Sequence, residues 1–231
     1  MRYILNGGDI QSFIESLFYT IPAVLIALTF HEFAHAYVAY RNGDPTARDL
    51  GRMTLNPFAH IDTVGLLCMI VCGFGWAKPV PVNPGNYHSY RKGEITVSLA
   101  GVTMNLILAI IGAFAAVTTA IIAMRSNPYS ISPVAEKIYN FCYYFMFLNC
   151  SLCVFNLIPI YPLDGYHVFE VLLGNRISTN TLVFMHKYGY YILIGLIIVF
   201  DVIDFSPIGI AVNAISDWLL NLAAFIINIF A

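Results

Sequence analysis

SLFYTIPAVLIALTFHEFAHAYVAYR, residues 16–41, decides how this chain is read. Fifteen uncharged residues, 16–30, lead straight into His31, Glu32 and His35, and Arg41 closes the run. At 1.5 Å per residue such a stretch crosses the roughly 30 Å hydrocarbon core of a bilayer. The composition points the same way. The chain is 59% hydrophobic and only 10% charged, whereas a soluble domain carries about a quarter charged residues. There is too little polar surface to coat a soluble globule. The expectation is an all-α polytopic membrane protein, one domain over 1–231, with a core at about 16–170 and a C-terminal helical pair at about 187–230. A net charge of −2 leaves no basic footprint for nucleic acid.

Five spans are expected, at about 16–40, 96–124, 138–160, 187–205 and 207–230. Between the first two lies a mixed segment. Its apolar piece, Val64 to Trp76, is too short to span and holds Gly65, Gly73 and Gly75. It reads as a re-entrant or short β-like membrane-associated element. Charge supports that reading. If the piece does not cross, Arg41, Arg48, Arg52, Lys78, Arg91, Lys92, Arg176 and Lys187 share one side, leaving Arg2, Arg125 and Lys137 on the other. The positive-inside rule then puts the N-terminus outside, the C-terminus inside and the first helix descending toward the cytoplasm. The polar start of the chain (Asn6, Asp9, Gln11, Glu15) does not read as a signal peptide. Cys68, Cys72, Cys142, Cys150 and Cys153 lie in apolar runs and read as inert buried thiols.

Ionisable groups inside a span cost at least about 2.5–3.5 kcal/mol per charge at mid-bilayer and need a partner or a task. His31 and His35 are four apart and share a helix face, so both imidazoles can reach one metal. Glu32, next door, can sit over the open position and accept a proton from water. This HExxH pattern is the zinc-protease arrangement; the bland alternative is a pair of neutral histidines bonding helix to helix. Zinc needs a third protein ligand, and His60, Asp62, His88, Asp164, His167, His186, Asp201, Asp204, Asp217 and the cysteines could each supply it. Depth ranks them. His31 and His35 lie about 9–15 Å above Arg41 along the helix. Asp164 follows the third span to the same side, in NLIPIYPLDGYHV, where Pro159 and Pro162 break the helix. His167 is its nearest rival, and Asp201 and Asp204 emerge on the opposite side.

HExxH in an apolar helix with a distant N-x-x-P-x-x-P-L-D-G resembles the site-2 protease family of intramembrane zinc metalloproteases. GRMTLNPFAHID, GWAKPVPVNP and SLAGVTMN resemble its small members, and the similarity covers roughly residues 20–170. The resemblance implies one Zn²⁺ per chain on His31, His35 and Asp164, with Glu32 as catalytic base. It implies that Asn156 helps hold the scissile carbonyl, for which interhelical hydrogen bonding is the alternative. The family's AGP reads Ala100-Gly101-Val102 here, and neither a PDZ-like insertion nor a CBS-like domain is read in the chain. Zn²⁺ with one aspartate carries net +1, and Glu32 brings the cluster toward neutrality, which limits its desolvation cost.

The partners expected are the lipid bilayer and a transmembrane protein or peptide substrate. A substrate helix satisfies its own backbone and must unwind to be cut. The extended, Pro-rich 64–86 region is expected to offer an edge to it, with Val80 and Val82 as substrate-binding residues. Asn105 is grouped with these, and also as a brace for the metal site. Gly101, Asn105, Ala109, Gly112, Ala113 and Ala116 form a small-residue packing face. Asn213, Asp217 and Asn221 make a polar stripe at i, i+4 and i+8, with Asn228 nearby. It reads as glue to another helix, a gate lining, or one face of an interfacial helix. His60 and His88 read as loop histidines. Rival functions are a catalytically inactive helix-binding scaffold and a metal transporter. The intact Glu32 argues against the first, and the clustering of ionisable groups at one depth argues against the second.

Overall fold

The structure, a computed structural model, describes residues 10–72, 75–126, 131–203 and 205–230. Gly73 and Asp204, Arg2, Asn6 and Asp9 of the polar start, and the side chains of Cys72 and Asp201 lie outside them. Seven helices carry the architecture: α1 (Ile10–Arg41), α2 (Thr63–Cys72), α3 (Tyr90–Ser126), α4 (Pro133–Asn156), α5 (Asp164–Leu173), α6 (Thr179–Val202) and α7 (Pro207–Phe230). Five of them, α1, α3, α4, α6 and α7, are long and apolar enough to cross a membrane. The protein is therefore an all-α integral membrane protein, as the sequence predicts.

The boundaries have local causes. α1 stops because Gly43 adopts φ +105°, a left-handed conformation that glycine supplies at little cost. Asp44 N–H then folds back to Ala39 O at 3.0 Å. A Cβ at Gly43 would also lie 2.8 Å from the His88 ring. α4 starts at Pro133 behind Ser132, whose hydroxyl accepts from Ala135 N–H at 3.2 Å. It ends at Asn156 rather than at 160, since the turn to Asp164 contains two prolines. α6 begins at Thr179, well before the expected 187.

Val64–Trp76 differs from expectation in kind. Its first part is a ten-residue helix, α2, about 15 Å long and half of what a span requires. The β-like pairing is confined to its flanks, where Ile61 and Ala77 form one antiparallel bridge and Lys78 N–H donates to His60 O at 2.9 Å. Gly65 permits this return: a Cβ there would lie 2.2 Å from Trp76 O.

α3 is the central post. On one side Ala109 and Ala113 pack with Met146 and Cys150 of α4 and with Val212, Leu219 and Ala223 of α7. On the other, Leu108 packs with Ala23 of α1 and Phe145. At Gly112 a Cβ would sit 3.0 Å from Met146 Cβ and N, so the α3 and α4 backbones approach closely. Helices in lipid gain little from hydrophobic burial and cohere through such packing and through interhelical hydrogen bonds. α6 meets the loop between α4 and α5 at Gly189, where a Cβ would meet Tyr161 O at 2.7 Å. The His186 and Tyr161 rings lie 4.1 Å apart.

Candidate metal centre

His31 and His35 project from the buried face of α1 toward α3 and α5. His31 Nε2 and His35 Nε2 are 3.0 Å apart, and Asp164 Oδ2 lies 3.4 Å from each. Both histidines are buried. The three side chains could hold one metal ion.

The protonation pattern decides what that geometry means. His35 Nδ1 is 2.7 Å from Val97 O, a backbone acceptor, so Nδ1 carries the hydrogen. His31 Nδ1 is 2.7 Å from Asn105 Oδ1. The orientation of that amide is set by a chain of bonds: Asn105 Nδ2 donates to Asn149 Oδ1 at 3.3 Å, and Asn149 Nδ2 donates to Phe145 O at 2.8 Å. The chain ends on a carbonyl that can only accept. With the hydrogen on Nδ1, an imidazole that is neutral at either position turns a bare Nε2 lone pair inward, onto its neighbour and onto a carboxylate oxygen. Asp164 Oδ2 is buried and has no hydrogen-bond partner. Three such acceptors converging in one buried site repel one another unless a cation stands between them. Two nitrogens and one carboxylate oxygen form the donor set of a catalytic zinc site with a free fourth position, and the residues fit the metal. Gly101 makes the room, since a Cβ there would lie 2.4 Å from His35 Nε2 and 2.5 Å from the His31 ring.

Glu32 is buried beside this cluster. Its Oε2 accepts from the Val80 N–H at 2.8 Å, which ties the metal helix to the Pro-rich segment. Val80 is buried against Ala36 and Ala47, while Val82 is exposed. Among the described residues nothing hydrogen-bonds to the Val82 backbone. The segment is pinned on both sides of that gap. Arg52 donates to Lys78 O and Pro79 O at 2.9 and 3.1 Å. Asn83 N–H donates to Asp44 Oδ2 at 2.7 Å.

Asp44 is the knot. It is fully buried and also accepts from Asn86 Nδ2 at 2.8 Å, from Thr46 N–H at 3.2 Å and from the Thr46 hydroxyl. Burial pushes its carboxyl upward, but the bonds from Asn83, Thr46 and Asn86 outweigh it and hold the pKa below the ordinary 3.8.

The other expected residues fall as follows. Asn105 is fully buried with both amide ends engaged, a position that orients His31. Asn156 is the last residue of α4, and its Nδ2 donates to Leu152 O at 3.0 Å, leaving one N–H of the amide. His167 sits one turn beyond Asp164 against the Tyr161 and Tyr166 rings. His60 is buried, with Nε2 2.8 Å from Thr54 O, and His88 is exposed. Cys68, Cys142, Cys150 and Cys153 are free thiols. Asn149 and Asp44 escaped the sequence reading. An asparagine inside an apolar span was the available signal for the first.

Fold and site together define a polytopic membrane protein with an internal metal-ligand set. Comparison with known proteins adds its lineage. The family model "Peptidase family M50" matches residues 118–200, a stretch that includes Asn156 and Asp164. "Putative zinc metalloprotease YwhC" of Bacillus subtilis is 38% identical over 191 residues, covering 83% of this chain and 82% of that protein. "Putative zinc metalloprotease Rip2" of Mycolicibacterium smegmatis is 29% identical over 192 residues, covering 81% and 69%. The Rip2 protein of Mycobacterium tuberculosis is 31% identical over 154 residues, covering 65% and 55%. No solved structure matches. The chain belongs to peptidase family M50. Zinc is the cofactor that this membership implies.

Proposed function

We propose that this chain is an intramembrane zinc endopeptidase of the site-2 type. It hydrolyses peptide bonds within or near transmembrane segments of membrane proteins, in regulated intramembrane proteolysis or in clearing signal-peptide remnants. The observation that carries the reading is the convergence of His31, His35 and Asp164 inside a membrane helix, with Glu32 between that cluster and an extended segment. When bound, zinc supplies Lewis acidity that lowers the pKa of water to about 7.

The chain's own residues do the rest. Glu32 accepts the proton of the attacking water and returns it to the leaving amine. Its Oε2 accepts from Val80 N–H, and its other oxygen, which has no hydrogen bond among the described residues, is the one that takes the proton. The remaining Asn156 N–H is the candidate donor to the developing oxyanion. The Val82 backbone, which makes no hydrogen bond among the described residues, adds the unwound substrate as a strand and presents the substrate carbonyl to α1. Asn105 and Asn149 hold the His31 ring.

The catalytic unit is the single domain of this chain. It sits in a prokaryotic cell membrane with its N-terminus outside and its metal site toward the cytoplasmic side. The test is cleavage of a reconstituted single-span substrate, with the cut mapped by mass spectrometry. A cut inside the cytoplasmic third of the span supports the reading. Cleavage only in soluble loops, or zinc flux across the vesicle without cleavage, refutes it.

A further inference from the structure

A second cluster of polar groups lies between the first turns of α3 and the far end of α5, two helices packed on each other. Glu94 of α3 feels the charges of His167 and Glu170 of α5, and Tyr90 feels both glutamates. Glu94 is buried. Among the described residues no hydrogen bond reaches its carboxylate, and no lysine or arginine pairs with it. Two phenols close the cluster. The Tyr87 ring lies on the α3 backbone, where a Cβ at Gly93 would collide with it, and Tyr166 is fully buried. Both hydroxyls are buried without a hydrogen-bond partner. Burial, with Glu94 and Asp44 near Tyr87 and Glu170 near Tyr166, holds both phenols above their ordinary 10, so each keeps its O–H.

The cluster has a fixed offset from the metal set. Gly101 abuts His31 and His35. Glu94 is two turns earlier on the same face of α3, about 10 Å nearer its N-terminus. Glu170 lies about 9 Å beyond Asp164 along α5. The Pro-rich segment covers the same interval, since Val80 N–H meets Glu32 and the Tyr87 phenol lies near Glu94. A substrate strand laid along it rises about 3.3 Å per residue, which puts the cluster about three residues from the scissile bond. This end of α3 carries Arg91 and Lys92, the cytoplasmic end in the proposed orientation.

A buried carboxylate needs a cation or a set of hydrogen-bond donors. A bare metal ion does not fit, since among the described residues only His31, His35 and Asp164 stand close enough together to hold one. His167 is the only basic group near Glu94 among the described residues, and its ring is packed against Tyr161 and Tyr166. Two carboxylates with tyrosine rings and hydroxyls beside them match a larger organic cation, the ammonium or guanidinium of a side chain. His167 and Glu170 are half-buried and Tyr90 is exposed, so the cluster opens to the surface. We propose that Glu94 and Glu170, with Tyr87 and Tyr166, form a specificity subsite for a lysine or arginine of the substrate, on the side of the cut toward the α3 N-terminus. The proposal rests on the endopeptidase reading. A substrate span that obeys the positive-inside rule carries such a residue on its cytoplasmic flank.

The test uses the full chain in lipid vesicles, as wild type, Glu94→Gln/Glu170→Gln and Glu94→Lys, with zinc content reporting folding in each. Single-span substrates carry one lysine, glutamine or glutamate at successive positions of the cytoplasmic flank, and kcat/KM is read for each. Wild type should prefer lysine to glutamine at least about tenfold where the residue stands about three places from the cut, and should show no such preference farther out. The double variant should lose the preference, whatever its absolute rate, and Glu94→Lys should favour glutamate at that position. Zinc-loaded Glu32→Gln should bind the lysine peptide at least about tenfold tighter than the glutamine peptide, a readout that needs no cleavage. Equal cleavage of lysine and glutamine substrates by wild type at every position, or a preference that survives in the double variant, would overturn the subsite and leave the protease reading standing. A wild type that holds zinc and cuts none of the substrates would overturn both.

Discussion

The backbone N–H of Val80 donates to Glu32 Oε2 across 2.8 Å, joining the metal helix to the Pro-rich segment that follows α2. Hydrogen bonds to a charged acceptor contribute about 1.5–3 kcal/mol. Val80→Pro removes this donor alone from the backbone. We expect it to lower kcat by at least roughly tenfold while zinc content is kept, and Val80→Ile to change kcat by less than threefold. Steady-state cleavage with metal analysis separates the two effects. An active Val80→Pro enzyme would show that Glu32 needs no such anchor.

Val82 has an exposed side chain, and among the described residues its backbone makes no hydrogen bond. If substrate adds there as a strand, Val82→Pro deletes a donor that the substrate needs. The expected result is a rise in KM and a fall in kcat/KM of about tenfold or more, with unchanged zinc binding. Equal kcat/KM for the variant and wild type would remove strand addition from the mechanism.

His31 depends on Asn105, and Asn105 on Asn149. Partners that orient metal-binding histidines typically contribute 10–100-fold in metal affinity. Asn105→Leu should weaken zinc within that range, and Asn149→Leu should weaken it by less, in the same direction. Competition against a chromogenic chelator measures both. Unchanged affinity in Asn105→Leu would mean that the tautomer is set in some other way.

Gly101 leaves the space that the two imidazoles occupy. Gly101→Ala places a methyl within 2.4–2.6 Å of His35 Nε2 and the His31 ring, so at least one ring must move. We expect zinc content below about a tenth of wild type and no cleavage, with helicity by circular dichroism preserved. Full zinc occupancy in this variant would contradict the close approach of α3 to the ligands.

Asp44 has a pH signature. Its carboxyl titrates below its ordinary 3.8 in the folded protein, so the unfolded chain binds its proton first as pH falls. The stabilisation is complete above about 3.8 and is lost as pH drops through the folded value. Thermal stability should be insensitive to this group from pH 8 to 5 and should fall below 4. Asp44→Asn leaves a buried donor facing Asn83 and Asn86, at a cost of about 1–3 kcal/mol, and should flatten that acid limb. An acid limb that persists unchanged in Asp44→Asn belongs to another group.

Much of this was legible before any coordinates. An HExxH inside an uncharged run announced both a span and a site, because lipid makes three ionisable groups there costly. That Asp164 lies with His31 and His35 was legible from the prolines that break the helix before it. Other features were not. The early start of α6 was hidden because polar Thr179 and Asn180 and the charged Lys187 lower the hydropathy of a helix that runs through them. α2 was obscured by the glycines around it, one of which serves the return of the chain at Trp76 rather than a strand. Asn149 and Asp44 act through partners tens of residues away, and single-chain spacing carries no trace of such bonds.

The central claim is that His31, His35 and Asp164 hold a zinc ion for which Glu32 is the base. The measurement that tests it most directly is cleavage of a panel of membrane-spanning peptides by purified wild type and Glu32→Gln, with bound metal quantified in both. We expect about one zinc per chain in each protein and cleavage by wild type alone. Cleavage by Glu32→Gln at the wild-type rate, or zinc absent from both, would contradict it.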